Sequence, residues 1–124
     1  MTIAEVSKKY DLTPDTLRYY ERIGMIPAVT RTPSGLRDYR EEDCSWVELA
    51  KCMRSAGLPV EVMIEYVRLT RLGDDTIPAR RQLLLEQRER LEEQKRAVES
   101  TMERLDYKIS RYDEAMKTGV LSWD

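Results

Sequence analysis

Apolar residues recur at helical spacing near the start of the chain. Ile3 and Val6 are three residues apart, behind Thr2. Thr2 and Glu5 form the pattern of a capping box, in which each side chain satisfies a backbone amide of the first helical turn. This pattern predicts a first helix from about residue 3 to residue 9.

A second short helix is predicted after a tight turn. Thr13 is an N-cap residue, Pro14 suits the first helical position, and Asp15 places an acid in the first turn. The helix is predicted from about residue 14 to residue 22, with a stop near Gly24. Two short helices joined by a turn indicate a helix-turn-helix, whose second helix enters a DNA major groove.

The periodicity changes over residues 25–39. Short β-prone arms flank the tip Pro33-Ser34-Gly35, which is typical of a small hairpin. We therefore expect a wing directly after the helix-turn-helix.

Two more helices are predicted behind the wing. An acidic run at 41–43 begins a third helix, whose apolar face is centred on Trp46 and Met53. Pro59 begins a fourth helix, which ends at Gly73.

From Ile77 to about Tyr112, the chain has no breaker after Pro78 and shows a seven-residue apolar repeat. We predict dimerisation through the positions Leu84, Leu91, Val98, Met102, Leu105, Ile109 and Tyr112. A helix of ~35 residues is ~50 Å long, more than one small domain can cover. Its apolar stripe indicates a second copy of the chain as partner. Arg88 and Lys95 lie at stripe positions where a parallel dimer would bring like charges together, which favours an antiparallel coiled coil.

Composition narrows the function. The 124 residues are 41% hydrophobic and 35% charged, which is typical of a folded globular chain, and no run of ~20 apolar residues indicates a membrane span. We expect a cytoplasmic protein with no membrane association. The net charge is -2, but the first 40 residues carry seven basic and five acidic side chains. The chain has no histidine and two cysteines, so we predict neither a metal site, nor a cofactor, nor an enzyme.

Candidate DNA-binding side chains follow from these elements. Arg18, Tyr19 and Tyr20 lie in the middle of the second helix, where arginine can bond guanine or phosphate and tyrosine can reach phosphate. Arg31 and Arg37 flank the wing tip, where they can hold the sugar-phosphate strand.

The motifs Thr2–Val6, Thr13–Gly24 and Arg31–Tyr39, in this order, resemble the N-terminal signature of the MerR family. The resemblance covers about residues 1–72. It implies a homodimer on an inverted repeat of double-stranded DNA within an overlong promoter spacer. Such a dimer activates by distorting the spacer so that the promoter elements realign for RNA polymerase. We predict DNA contacts from Thr16, Arg18, Tyr19, Tyr20, Arg31, Ser34, Arg37 and Tyr39.

The two cysteines are candidate sensors. The segment Leu105–Lys117 resembles the short, thiol-based, aldehyde-responsive branch of the family, in which a cysteine late in the third helix senses the signal; that position matches Cys52. A helical wheel puts Cys52 at the edge of the apolar face and Cys44 on the more accessible polar side. A disulfide between them within one helix is excluded, because eight residues span ~12 Å and the Cα limit is ~7 Å.

The sequence thus predicts a mainly α protein, with a winged helix-turn-helix DNA-binding domain over residues 1–72 and a dimerisation coiled-coil helix with a short tail over 73–124. Three alternatives remain. The first is an excisionase-like DNA-architectural protein, which needs no long dimer helix. The second is a regulator with no thiol sensing, in which Cys52 is core filler. The third is an enzyme or coiled-coil adaptor, which has no catalytic constellation here.

Overall fold

The computed structural model describes residues 1–123 and is mainly helical, as predicted. Its elements are α1 (Ile3–Tyr10), α2 (Pro14–Arg22), α3 (Glu41–Ser55), α4 (Val60–Leu72), a 3₁₀ turn (Asp74–Thr76) and α5 (Ile77–Thr118). The chain forms two compact units, the first over Met1–Leu85 and the second from Glu86 onward. Among the described helices, none combines the length and apolar character that a membrane span requires.

Local capping explains where α1 and α2 begin. The Oγ1 of Thr2 accepts from the Glu5 amide at 3.2 Å, and a Glu5 carboxylate oxygen accepts from the Thr2 amide at 2.9 Å. These hydrogen bonds lower the pKa of Glu5. At α2, Thr13 directly precedes Pro14, and its Oγ1 accepts from the Thr16 amide at 3.1 Å. Both predicted N-caps are confirmed, since each depends only on neighbours in sequence.

The core of the first unit draws on every helix from α1 to α4 and on the segment between α2 and α3. Its fully buried large side chains are Val6, Leu17, Met25, Ile26, Tyr39, Val47, Met63 and Val67. Trp46 of α3 and Tyr66 of α4 meet edge to face, with ring centroids 5.6 Å apart. This core holds α2 by one face and leaves its opposite face exposed.

The wing is a turn closed by a single antiparallel bridge, Arg31 to Arg37, and residues 1–123 form no β-strand longer than this bridge. The Gly35 amide donates to the Thr32 carbonyl at 2.9 Å, and the Thr32 amide donates to the Leu36 carbonyl at 2.7 Å. Gly35 has a φ of +89°, a region that side chains with a Cβ disfavour. The predicted hairpin is therefore present in its simplest form.

The α3 face that packs inward differs from the predicted one. It consists of Cys44, Val47, Ala50 and Met53. Cys44 is only 7% exposed, whereas Cys52 is exposed. The prediction that Cys44 is the more accessible thiol is therefore wrong. A helical wheel includes one helix only, and here the tertiary fold covers the face that the wheel marks as polar.

In the second unit, the residues after α5 fold back onto it. The Tyr107 hydroxyl donates to the Trp123 carbonyl and the Arg111 Nε to the Ser122 carbonyl, both at 2.7 Å. The Trp123 ring meets the Tyr112 ring edge to face, with centroids 5.9 Å apart. α5 itself continues to Thr118, six residues beyond the predicted end.

Candidate nucleic-acid interface

α2 separates its side chains into a buried and an exposed face. Leu17 and Tyr20 are buried, and three-residue spacing places them on the same side of the helix. Arg18 and Tyr19 are exposed on the other side. Thr16 lies at the start of the helix, half-buried, with its Oγ1 hydrogen-bonded to the Thr13 hydroxyl at 2.8 Å.

The exposed face of α2 is preorganised by its own neighbours. An Arg18 guanidinium nitrogen lies 2.9 Å from an Asp15 carboxylate oxygen, one turn earlier. The Arg22 guanidinium lies 5.4 Å from the centre of the Tyr19 ring. Both arginines are exposed, so these contacts orient the side chains and leave donors available for DNA.

The wing presents its two arginines differently. The side chain of Arg31 is 46% exposed, and its guanidinium donates to the Gly35 carbonyl at 3.1 Å. The side chain of Arg37 is 23% exposed, and its Nε donates to a Glu21 carboxylate oxygen at 2.7 Å. Ser34 is exposed at the tip, with its Oγ 3.0 Å from the Thr32 hydroxyl.

A groove of about 550 Å³ brings these elements together. Arg18 from α2 and Arg31 and Arg37 from the wing all line it, beside Leu36. Glu5 and Asp38 also line the groove, so its arginines outnumber its acids by three to two, and the arginines can provide charge and donors for a phosphate strand. The structure therefore places three of the predicted DNA-contacting residues on a shared surface.

Tyr20 and Tyr39 are placed in the core instead. Tyr39 is 1% exposed, and its hydroxyl has no hydrogen-bond partner among the described residues. Burial raises the pKa of both tyrosines. The prediction that these two side chains contact DNA is not supported by the structure, because the fold encloses them.

Glu21 is a residue that the sequence analysis missed. One of its carboxylate oxygens accepts from the Val29 amide at 2.7 Å, and the other accepts from the Arg37 Nε at 2.7 Å. The second oxygen also lies 3.7 Å from an Arg31 nitrogen. An acid in the last turn of a helix opposes the helix dipole, and that local conflict is the sequence signal that points to a specific partner.

The predicted seam on α5 is exposed in the single chain. Val98, Leu105 and Ile109 are more than half exposed, as is Met102 between them. Leu91 is half-buried, and Leu84 and Tyr112 are exposed. Large apolar side chains left in water along one helix face are typical of an interface.

A winged helix-turn-helix whose second helix and wing contribute three arginines to one groove is typical of a DNA-binding protein. The sequence model of the family described as MerR family regulatory protein matches residues 2–39. The HTH-type transcriptional regulator AdhR of Bacillus subtilis is 55% identical over 91 residues, which are 73% of this chain and 65% of AdhR. YfmP, an HTH-type transcriptional regulator of the same organism, is 30% identical over 95% of this chain and 81% of its own length.

Solved structures agree with these relatives. A MerR family transcriptional regulator from Listeria monocytogenes superposes with a TM-score of 0.91 at 40% identity, over 96% of this chain and 90% of the other. HiNmlR, a MerR family regulator lacking the sensor domain, was solved bound to promoter DNA. It has a TM-score of 0.85 at 28% identity, over 97% of this chain and 95% of the other. The chain belongs to the MerR family. It is a DNA-binding transcriptional regulator and not an enzyme.

Proposed function

We propose that this chain binds promoter DNA as a homodimer, with α2 of each copy in a major groove and each wing on the flanking backbone. The observation that carries this proposal is the groove lined jointly by Arg18, Arg31 and Arg37. The similarity to HiNmlR, which was solved on promoter DNA, supports the same mode of binding. Two copies related by a twofold axis would read an inverted repeat.

Substitution of the arginines tests the DNA surface. Arg18→Ala and Arg37→Ala should each weaken operator binding, by about 5-fold or more, because a well-placed arginine contact is worth about 1–3 kcal/mol. Both variants should remain dimeric. Arg68→Ala is the matched control, since Arg68 is an exposed arginine of α4 paired with Glu65. Unchanged operator affinity for Arg37→Ala across a salt series would remove the wing from the interface.

The dimer would form through the apolar stripe of α5. Placing aspartate at both Val98 and Leu105 would bury unpaired charge at that interface, which costs several kcal/mol. We expect monomers in sedimentation and loss of operator binding. Ala97→Asp with Ser100→Asp adds the same charge on the opposite face of α5 and should leave the dimer intact. A dimeric Val98→Asp, Leu105→Asp variant would contradict the coiled-coil assignment.

Activation would proceed by distortion of the promoter spacer, which brings the two promoter elements into register for RNA polymerase. The family resemblance supports this mechanism. If distortion is the mechanism, a promoter whose spacer is shortened to the ordinary length should be transcribed strongly without the protein. In vitro transcription from spacer variants measures this. Continued dependence on the protein at the ordinary length would indicate direct recruitment of polymerase instead.

Cys52 is the proposed sensor of an aldehyde or another electrophile. It is exposed and lies in the last turn of α3, before Gly57 and the start of α4. A thiolate adds to the carbonyl carbon of an aldehyde. The C–S bond forms, the π pair of the C=O bond moves to oxygen, and that oxygen takes a proton to give a hemithioacetal. An adduct at this place adds bulk beside the α3–α4 connection and would change the angle between the two DNA-reading modules of the dimer.

The sensor proposal is tested separately from DNA binding. Cys52→Ser should keep operator affinity and lose activation by formaldehyde or methylglyoxal in an in vitro transcription assay. Cys44→Ser should keep both, because Cys44 is buried. A full aldehyde response in Cys52→Ser would show that the signal enters elsewhere and that Cys52 is not the sensor, whereas a wild-type protein that does not respond to aldehyde would favour a regulator with no thiol sensing.

A further inference from the structure

A single carboxylate connects α2 to both arms of the wing. The side chain of Glu21 is 12% exposed. Its Oε2 accepts from the Val29 amide, on the arm that enters the wing. Its Oε1 accepts from Arg37, on the arm that leaves it. Val29 and Arg37 are thus held to the same residue of α2 from opposite arms.

The wing is short, and a few backbone hydrogen bonds hold its two arms together. The extended pairing described between its arms is one bridge, Arg31 to Arg37, with one further backbone bond at the base, from the Asp38 amide to the Thr30 carbonyl at 2.7 Å, and hydrogen bonds at the tip. A two-stranded hairpin is only marginally stable by itself. The position of the wing relative to α2 therefore depends on contacts with the rest of the unit, and Glu21 makes three of them.

A carboxylate is an unfavourable choice at this place unless it has a specific role. Phosphates repel it, and the negative end of the α2 dipole disfavours it. It also neutralises part of the charge that Arg31 and Arg37 offer to DNA. Glu21 thus lowers the general attraction to DNA and also orders the arginines. Such a residue is expected to raise the affinity for the operator relative to that for unrelated DNA.

We infer that Glu21 is the positioning residue of the DNA-reading surface: it clamps the wing to α2 and sets the spacing between Arg18 and the wing arginines. This inference rests on the proposed function, which assigns α2 and the wing to DNA. The clamp fixes where the wing arginines meet the backbone when α2 lies in the major groove of the operator, and the same carboxylate reduces binding to unrelated duplex.

Two variants separate the clamp from its charge. Glu21→Gln removes the charge and leaves a weaker acceptor for Arg37. Glu21→Asp keeps the charge, but its side chain is one methylene shorter and cannot reach both arms. Glu48→Gln is the matched control, because Glu48 is an exposed acid in the middle of α3.

Affinities for an operator duplex and for an unrelated duplex of equal length are measured at several salt concentrations. For Glu21→Gln, we expect the ratio of the two affinities to fall by about 10-fold or more, with tighter binding to unrelated duplex. For Glu21→Asp, we expect a similar fall through weaker operator binding, without that gain. Glu48→Gln should change the ratio by less than twofold. Helicity and thermal unfolding of each variant are recorded alongside.

An unchanged affinity ratio in folded Glu21→Gln and Glu21→Asp would overturn the inference. So would a parallel loss of both affinities together with helicity, since that result marks a purely structural residue. Failure of the proposed function is distinguishable, because Arg18→Ala and Arg37→Ala would then bind the operator as tightly as the wild type, whatever Glu21 does.

Discussion

Replacing Tyr39 by phenylalanine removes one oxygen atom from the core next to the wing. The ring of Tyr39 is fully buried, and phenylalanine retains it. The hydroxyl is enclosed and has no hydrogen-bond partner in the described part of the chain. Burial raises the pKa of this hydroxyl, and the smaller electrostatic effects of Arg37 and Glu21 on that pKa have opposite signs. The substitution therefore removes a polar group without removing apolar contacts.

The expected magnitude follows from the cost of burying an unpaired hydroxyl. Such a group costs about 1–3 kcal/mol relative to its hydrated state in the unfolded chain. Tyr39→Phe should accordingly raise the free energy of unfolding by about 1 kcal/mol, which corresponds to a rise of roughly 4 °C in Tm. Operator affinity should stay within twofold of wild type, because the hydroxyl is inaccessible.

Denaturant and thermal unfolding at one fixed protein concentration, combined with operator titration, measure both effects. Tyr19→Phe is the control: Tyr19 is 43% exposed on α2, so its hydroxyl should influence DNA binding and leave stability unchanged. Loss of operator affinity in Tyr39→Phe would refute the reasoning, since it would mean that the wing opens and brings this hydroxyl to DNA. Destabilisation by 1 kcal/mol or more would show that the hydroxyl has a partner.

Three further predictions concern the thiols, the C-terminal segment and acid stability. A maleimide should modify Cys52 in the native protein and Cys44 only in denaturant, as mass spectrometry of timed samples would show. Equal rates of modification of the two thiols in the native protein would contradict the burial of Cys44. Tyr112→Ala should shift the fluorescence of Trp123 to longer wavelength, in a background where the other tryptophan is phenylalanine, because the ring contact at 5.9 Å is lost; an unchanged spectrum would argue against the folded-back segment. The pKa of Glu5 is lowered from 4.5, so its capping of α1 is fully present above that value and is lost as the pH falls through the folded pKa. NMR signals of α1 that stay unchanged on acidification would contradict this.

The starts of the helices could be predicted because the information is local. Thr2 and Thr13 each cap a helix through an amide three residues away, and such contacts are readable from spacing alone. The C-terminal end of α5 was predicted too early. Residues 113–118 contain strong helix formers, and Gly119, with a φ of +77°, is the first residue with a clear stop signal.

The contacts that support the candidate interface from inside the fold could not be predicted in the same way. Glu21 bonds to Val29, which lies 8 positions later in the sequence, and to Arg37, which lies 16 positions later. The burial of Cys44 depends on elements outside α3. Tyr39 belongs to a basic, wing-like motif, yet the fold turns its side chain into the core. Sequence periodicity reports one element at a time, whereas each of these features arises where separate elements meet.

Hydroxyl-radical footprinting of the DNA upstream of the chain's own gene tests the central claim most directly. A homodimer with α2 and a wing in each copy should protect two symmetry-related half-sites, centred one helical turn or a multiple apart, within the spacer between the promoter elements. Arg37→Ala should lose the outer, wing-dependent protection in both halves. Protection of a single half-site, or uniform protection along the duplex, would contradict the account.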